Sequence, residues 1–278
     1  MDRNLLRRQL RAFLAEDIGR GDLTSESIFV AGERGRARLV ARESCVAAGV
    51  GCVAAEVFRL QNDEIAVSDA VAEGSRLQPG DLVMTVSGPV VDMLKAERVA
   101  LNLVQRLSGI ASQTDRFVAA VAGTRARITD TRKTMPGLRM LEKYAVRVGG
   151  GANHRFNLAD GVLIKDNHIA ACGSITAAVE RVRQTVPHTI RIEVETDTLA
   201  QVTECLACGV DIIMLDNMSC ETMREAVDRI GGRALVEASG GVNLATVGSI
   251  AACGVDIISV GALTHSAPSC DIGMDWQA

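Results

Sequence analysis

The heptapeptide Ala207-Cys208-Gly209-Val210-Asp211-Ile212-Ile213 returns unchanged as Ala252-Cys253-Gly254-Val255-Asp256-Ile257-Ile258. In both copies a helical pattern stops at a glycine, the residue best suited to a left-handed helix end, and a β-branched run follows. The same rhythm extends outward. Strand-like runs read at Arg127-Ile128-Thr129, Val162-Leu163-Ile164, 190–194, 211–215, Ala234-Leu235-Val236 and 256–260. Helical patterns separate most of them, at 175–186, 199–208, 221–230 and 244–253. Strand and helix in alternation predict parallel βα units. Continued in register, the echo sets Asp216 and Gly261 at matching strand ends.

The carboxyl ends of these runs carry polar residues or glycine. They are Asp130 with Arg132 and Lys133, then Lys165, Glu195, Asp216, Glu237 with Ser239, and Gly261. Packing alone does not call for such residues there. In α/β barrels the active site lies on this rim, because the βα loops vary without disturbing the core. An open doubly wound sheet also uses its strand ends, so the rhythm leaves sheet and barrel both open.

The first half reads differently. Strands are expected at 36–41 and 82–86, a helix at 50–60 and a turn-rich hairpin region at 74–88. A long helical pattern runs from about Val91 to Val121, with Ser108-Gly109 as the point where it could break. These signals predict an α+β domain over 1–108 and an α/β domain over 109–278, with the last few residues free to pack back on the first domain.

With 47% hydrophobic but only 3% aromatic residues, the core must be aliphatic, as in parallel strands covered by helices. The net charge of −4 makes any cationic cluster local and argues against nucleic acid as the main partner. No apolar run is long enough to span a membrane, and the first residues lack the apolar stretch of a signal peptide, so a soluble cytoplasmic protein is expected. The chain has 8 cysteines, and Cys205 and Cys208 form a lone CxxC with no second pair at metal spacing. These two read as small buried side chains on a helix, and the other six as small hydrophobes.

A cationic block fills the middle of the chain. It runs Asp130-Thr131-Arg132-Lys133-Thr134-Met135-Pro136-Gly137-Leu138-Arg139, then Gly149-Gly150-Gly151-Ala152-Asn153-His154-Arg155, then Leu163-Ile164-Lys165-Asp166-Asn167-His168. Arginine forks bind carboxylate or phosphate in bidentate fashion, and a lysine adds a point charge. Arg132, Lys133, Arg139, His154, Arg155 and Lys165 among tight turns suit a small, highly anionic ligand; solvated surface charge is the plainer alternative. Ser239-Gly240-Gly241 follows a strand, with Asn243 placed to cap the next helix, and Val260-Gly261-Ala262 stands at the next strand end. Together they could cradle a phosphate; a lone SGG would be an ordinary turn. Glu195 and Asp216 could bind ligand hydroxyls or a hydrated Mg²⁺, or could form a buried salt bridge with the nearby cations.

The block resembles the quinolinate phosphoribosyltransferase family in its DTRKT-x-PGLR, LEKYAVR-x-GGG-x-NHR and LIKDNH runs. Further matching segments are Glu16 to Ser25, Glu97-Arg98-Val99-Ala100-Leu101-Asn102, Ile192 to Glu195, Met214 to Met218, Glu237 to Gly241 and Ser259 to Ser266. The resemblance implies an N-terminal α+β open sandwich and a C-terminal incomplete α/β barrel of six to seven strands. It implies transfer of phosphoribosyl from 5-phosphoribosyl 1-diphosphate to quinolinate with decarboxylation, giving nicotinate mononucleotide, CO₂ and diphosphate for NAD biosynthesis. Mg²⁺ is the implied cofactor. A homodimer with shared active sites, or a trimer of such dimers, is the implied assembly.

Site roles follow from the same resemblance. Arg132, Arg155, Lys165, His154 and the Arg98 of a second copy would hold the ring carboxylates, with Thr131 beside them. Lys133 would stand near the diphosphate or the reacting centre, making Lys133, Glu195 and Asp216 the catalytic group. Glu195 and Asp216 would engage ribose or metal. Ser239, Gly240, Gly241, Val260, Gly261 and Ala262 would hold the 5-phosphate. One departure stands out: the family's NHR-x-Gly-Leu is here His154-Arg155-Phe156-Asn157-Leu158. Asn tolerates the left-handed region that such a glycine implies. Rival functions are a related branch of this fold linked to molybdenum transport, a barrel lyase with Lys133 or Lys165 as Schiff base, and a non-catalytic phosphate-ligand sensor.

Overall fold

A computed structural model describes residues 1–277. It divides into two compact units. The first holds residues 1–113, 140–149 and the C-terminal stretch from 267; the second holds 114–139 and 150–266.

In the first unit, helices α1 (Arg3–Ile18) and α2 (Leu23–Ile28) precede strand β1 (Arg34–Ala41). Strand β2 (Cys45–Val46), helix α3 (Ala55–Gln61) and strands β3 (Ala66–Ser68), β4 (Arg76–Leu77) and β5 (Leu82–Pro89) follow. The long α4 (Val90–Ala120) comes next, and the strand Ile272–Gln277 closes the chain. That last strand pairs antiparallel with β1, β1 with β5 and β5 with β3, making a four-stranded sheet. Helix α1 buries Leu6, Leu10 and Leu14, one residue per turn on a single face. Helix α4 runs unbroken through Ser108-Gly109, where a break was expected. Ser108 Oγ is turned to accept Ala48 N–H at 3.1 Å, and Gly109 leaves room for the Pro268 carbonyl. The helical signal at 50–60 resolves into a wide turn over Val50–Ala54 that leads into α3.

The second unit is built on strands β6 (Arg127–Thr129), β7 (Val162–Ile164), β8 (Ile192–Thr196), β9 (Ile212–Asp216), β10 (Leu235–Ser239) and β11 (Ile257–Ser259). They form one six-stranded sheet in the order β6-β11-β10-β9-β8-β7, and every pairing is parallel. β6 and β7 stay at its edges, so the described strands make an incomplete barrel rather than a closed one. Between β6 and β7 lies α5 (Arg139–Val148), most of which belongs to the first unit. The remaining helices are α6 (Asp166–Cys172), α7 (Ile175–Thr185), α8 (Leu199–Cys208), α9 (Cys220–Ile230), α10 (Val247–Ala251) and α11 (Ala262–His265).

Capping chemistry explains the helix limits. Ser174, Thr198 and Ser219 accept backbone N–H groups at the starts of α7, α8 and α9. Gly209 and Gly231 end α8 and α9 in the left-handed conformation. Helix α10 starts three residues later than the pattern suggests. Asn243 Oδ1 accepts Ala245 N–H and Thr246 N–H, making a turn before the helix instead of capping it. The sequence echo has a structural counterpart: Asp211 Oδ2 accepts Ile192 N–H and Asp256 Oδ2 accepts Val236 N–H, both at the strand-start end of the sheet. All eight cysteines are free thiols.

Candidate active site

A cavity of about 550 Å³ opens at the carboxyl ends of the second unit's strands. Its wall includes Thr131, Arg132, Lys133, His154, Arg155, Lys165, Glu195, Asp216, Ser239, Gly240 and Gly241, all singled out from sequence. It also includes Leu163, Met214, Asn217, Glu237 and Ser259. Val260, Gly261 and Ala262 do not line it. Val260 is buried, and a side chain at Gly261 would run into Lys133 and His265. Arg98 is exposed on α4 and belongs to the first unit.

The cationic loop after β6 is held from below. Asp130, fully buried, accepts His154 N–H at 2.9 Å and Asn153 Nδ2 at 2.6 Å, fastening the Asp130–Arg139 segment to the Asn153–Arg155 segment. Arg139 is spent on structure: it donates to Thr134 Oγ1, to Phe156 O and to Arg132 O. Among the described residues, the Arg132 and Lys133 side chains have neither a hydrogen bond nor an ion pair within the protein. Arg155 donates to Gly161 O at 3.0 Å. Burial and the neighbouring Arg132 push its basicity below the ordinary guanidinium value. Cations crowded together at a cavity wall without carboxylate partners repel one another unless an anion arrives.

The replacement at position 157 needs no left-handed backbone, since Asn157 is not among the positive-φ residues. Its Oδ1 accepts Ala159 N–H, and Asp160 Oδ2 accepts Phe156 N–H and Asn157 N–H. These bonds fix the loop that follows Arg155 without a glycine.

The two strand-end carboxylates are each half engaged. Glu195 Oε2 lies 2.5 Å from Lys165 Nζ, and Asp216 Oδ2 accepts Asn217 Nδ2 at 2.6 Å. One oxygen of each remains for a ligand. His168 accepts Lys165 N–H at 2.9 Å and so fixes the start of α6 rather than facing the cavity.

A half-buried histidine of the cavity wall meets two buried glutamates, a triad that the sequence does not announce. His154 Nε2 is 3.2 Å from Glu193 Oε2 and 3.5 Å from Glu237 Oε1. Its Nδ1 accepts the Arg155 N–H at 2.8 Å. Burial works against a charged imidazole, but Glu193 and Glu237 outweigh it and raise the basicity of the site to about 10. Burial also raises the Glu193 carboxyl above the usual range. With Nδ1 accepting the Arg155 N–H, the imidazole directs its Nε2–H at the two carboxylates. His154, Glu193 and Glu237 have the side-chain types of a metal site. The proton on Nε2 stands where a metal would bind, so they read as a hydrogen-bonded brace. Glu193 Oε1, Thr129 Oγ1 and Ser259 Oγ are buried without a hydrogen-bond partner, and Glu237 Oε1 has only its long ion-pair contact with His154, a set polar enough to hold ordered water.

Comparison with known proteins decides the family. Residues 22–108 match the quinolinate phosphoribosyl transferase N-terminal domain and residues 110–275 its C-terminal domain. The chain belongs to the quinolinate phosphoribosyl transferase family. It is 46% identical over 271 residues to the probable carboxylating nicotinate-nucleotide pyrophosphorylase of Bacillus subtilis, covering 97% of this chain and 93% of that one. It is 46% identical to the carboxylating nicotinate-nucleotide pyrophosphorylase of Mycobacterium leprae, covering 96% and 95%. The crystal structure of NadC from Streptococcus pyogenes superimposes with a TM-score of 0.95 at 43% identity, covering 100% of this chain and 99% of that one.

Proposed function

We propose that this protein is a carboxylating nicotinate-nucleotide pyrophosphorylase. It transfers phosphoribosyl from 5-phosphoribosyl 1-diphosphate to quinolinate and releases CO₂ and diphosphate, leaving nicotinate mononucleotide for NAD biosynthesis. The observation that carries this reading is the pairing of opposites in one cavity. Arg132, Lys133 and Arg155 stand without carboxylate partners on one side, and half-free Glu195 and Asp216 stand on the strand ends.

Quinolinate is a dianion, and its ring carboxylates suit the forks of Arg132 and Arg155. Lys165 supports the clamp beside Glu195, and Thr131 shapes it. His154 serves the clamp through Arg155, whose backbone N–H it receives. The pyridine nitrogen attacks the anomeric carbon as diphosphate leaves, through an oxocarbenium-like transition state. Glu195 and Asp216 stabilise positive charge developing on the sugar, and Lys133 meets the departing diphosphate. The 5-phosphate rests at Ser239, Gly240 and Gly241, with Val260, Gly261 and Ala262 shaping the adjoining strand end. Once the ring nitrogen is quaternised, loss of the 2-carboxylate leaves a stabilised ylide, which a proton converts to product.

Mg²⁺ fits this site, because Glu195 and Asp216 each keep one oxygen uncommitted and magnesium takes one or two carboxylates along with water. When bound with the diphosphate it supplies charge neutralisation there. We further assign the protein to the cytoplasm and to a homodimer in which Arg98 of one copy completes the site of the other. A trimer of such dimers is the larger assembly in keeping with the family. None of the described helices is long and apolar enough to cross a membrane. Labelled quinolinate incubated with the sugar diphosphate and Mg²⁺ tests the assignment, and nicotinate mononucleotide is the expected product.

A further inference from the structure

Among the described residues, Asn217 is one of two non-glycine residues with positive φ, at +54°; the other is Asp69, an exposed residue just after β3. Left-handed backbone favours glycine, with asparagine and aspartate as the costlier substitutes. An asparagine kept where glycine would be easier implies that its side chain is used. Three contacts show how. Asn217 Nδ2 donates to Asp216 Oδ2 at 2.6 Å, and Asn217 N donates to Ser239 O at 3.0 Å. A Cβ placed on Gly240 (φ +88°) would collide with the Asn217 amide, so that amide occupies the space directly over the glycine.

We propose that Asn217 is a positioning residue that locks the Asp216 carboxylate and the Ser239–Gly241 turn into one unit, coupling the ribose side of the cavity to the 5-phosphate side. The proposal rests on the reading that those two segments face the sugar phosphate. By occupying one Asp216 oxygen, the amide presents the other in a fixed direction. By filling the space over Gly240, it sets where the turn's backbone N–H groups point. Aspartate could adopt the same backbone but would place a second carboxylate against Asp216. Glycine would relax the backbone and lose the amide.

Those two substitutions form the test. Asn217→Gly should keep or raise the melting temperature and leave quinolinate affinity, measured by calorimetry, within about twofold, since its cost falls on one ligand-facing bond. Its kcat should fall about ten- to a hundredfold, the scale of one hydrogen bond to a charged group. Ribose 5-phosphate should bind about tenfold more weakly for the same reason. Asn217→Asp should lose at least as much turnover. Wild-type kcat together with wild-type ribose 5-phosphate affinity in Asn217→Gly would overturn the proposal. So would a parallel loss of melting temperature and quinolinate affinity, which would mark a general scaffold role. If the unmodified protein binds ribose 5-phosphate but makes no nucleotide, the reaction assignment falls while the binding comparison still judges Asn217.

Discussion

Lys165 Nζ stands 2.5 Å from Glu195 Oε2, so the cation at the end of β7 and the carboxylate near the end of β8 balance each other across adjacent parallel strands. Neither acts as an isolated charge. Their effects on turnover should therefore be non-additive: Lys165→Ala and Glu195→Ala together should cost less than the sum of the single losses, by about 0.5–3 kcal/mol. A double-mutant cycle on kcat/KM measures this, and strict additivity would show that the pair does not work as a unit.

Glu195→Gln and Asp216→Asn should each lower kcat by about 10²–10³, while the melting temperature changes by only a few degrees. Both carboxylates sit at a cavity wall rather than in the core. Thermal unfolding beside steady-state kinetics separates the two effects. Equal loss of stability and rate would assign the carboxylates to scaffolding.

The cationic clamp predicts substrate selectivity. Arg132→Ala and Arg155→Ala should each weaken quinolinate binding by about 2–4 kcal/mol, the scale of a desolvated charge pair. Nicotinate, with one carboxylate fewer, should be a poor substrate. Equal turnover of the two acids would refute the clamp.

The brace beneath the clamp carries a pH signature. The His154 site has its basicity raised above the unfolded value of 6.5, to about 10. Its stabilisation is therefore complete below pH 6.5 and is lost as pH rises through about 10. Between pH 7 and 10 the unmodified protein should lose about 1–3 kcal/mol from this source, and His154→Gln should flatten that slope. Denaturant unfolding across this range checks it. A slope identical in the two proteins would show that the triad holds no extra proton.

Much of this architecture was legible in the sequence, and the exceptions have physical causes. β-Branched runs with glycine-ended helices between them located all six strands of the second unit, because parallel strands are apolar on both faces. Their carboxyl ends named most of the cavity wall. Helices α5 and α6 are missing from the expected elements: Arg139–Val148 has a clear amphipathic period that marks it as a helix, whereas Asp166–Cys172 is only 7 residues long and buries no face. The Glu193–His154–Glu237 brace was hidden because its members meet only when three separate segments come together. Asn217 left one clue, an asparagine directly after a strand-end aspartate, but only its φ reveals the strain. The alternation of Glu193 and Glu195 put both on one face, yet depth separates them: Glu193 is buried, and Glu195 reaches the cavity wall.

Shared sites make a further prediction. Arg98 is exposed on α4 in the first unit, whereas Lys133 lines the cavity of the second. If Arg98 serves a second copy, Arg98→Ala and Lys133→Ala chains, each inactive alone, should recover activity when mixed, because one site in each mixed dimer carries neither defect. Mixed dimers that form and stay inactive would contradict a shared site.

The most direct test of the central claim follows the carbon balance of a single reaction. Quinolinate labelled at the 2-carboxylate is incubated with the protein, 5-phosphoribosyl 1-diphosphate and Mg²⁺. The predicted result is one labelled CO₂ and one diphosphate for each nicotinate mononucleotide formed, with no turnover when the sugar diphosphate is omitted. Release of CO₂ without the sugar diphosphate, or a nucleotide that retains the label, would contradict phosphoribosyl transfer followed by decarboxylation in this cavity.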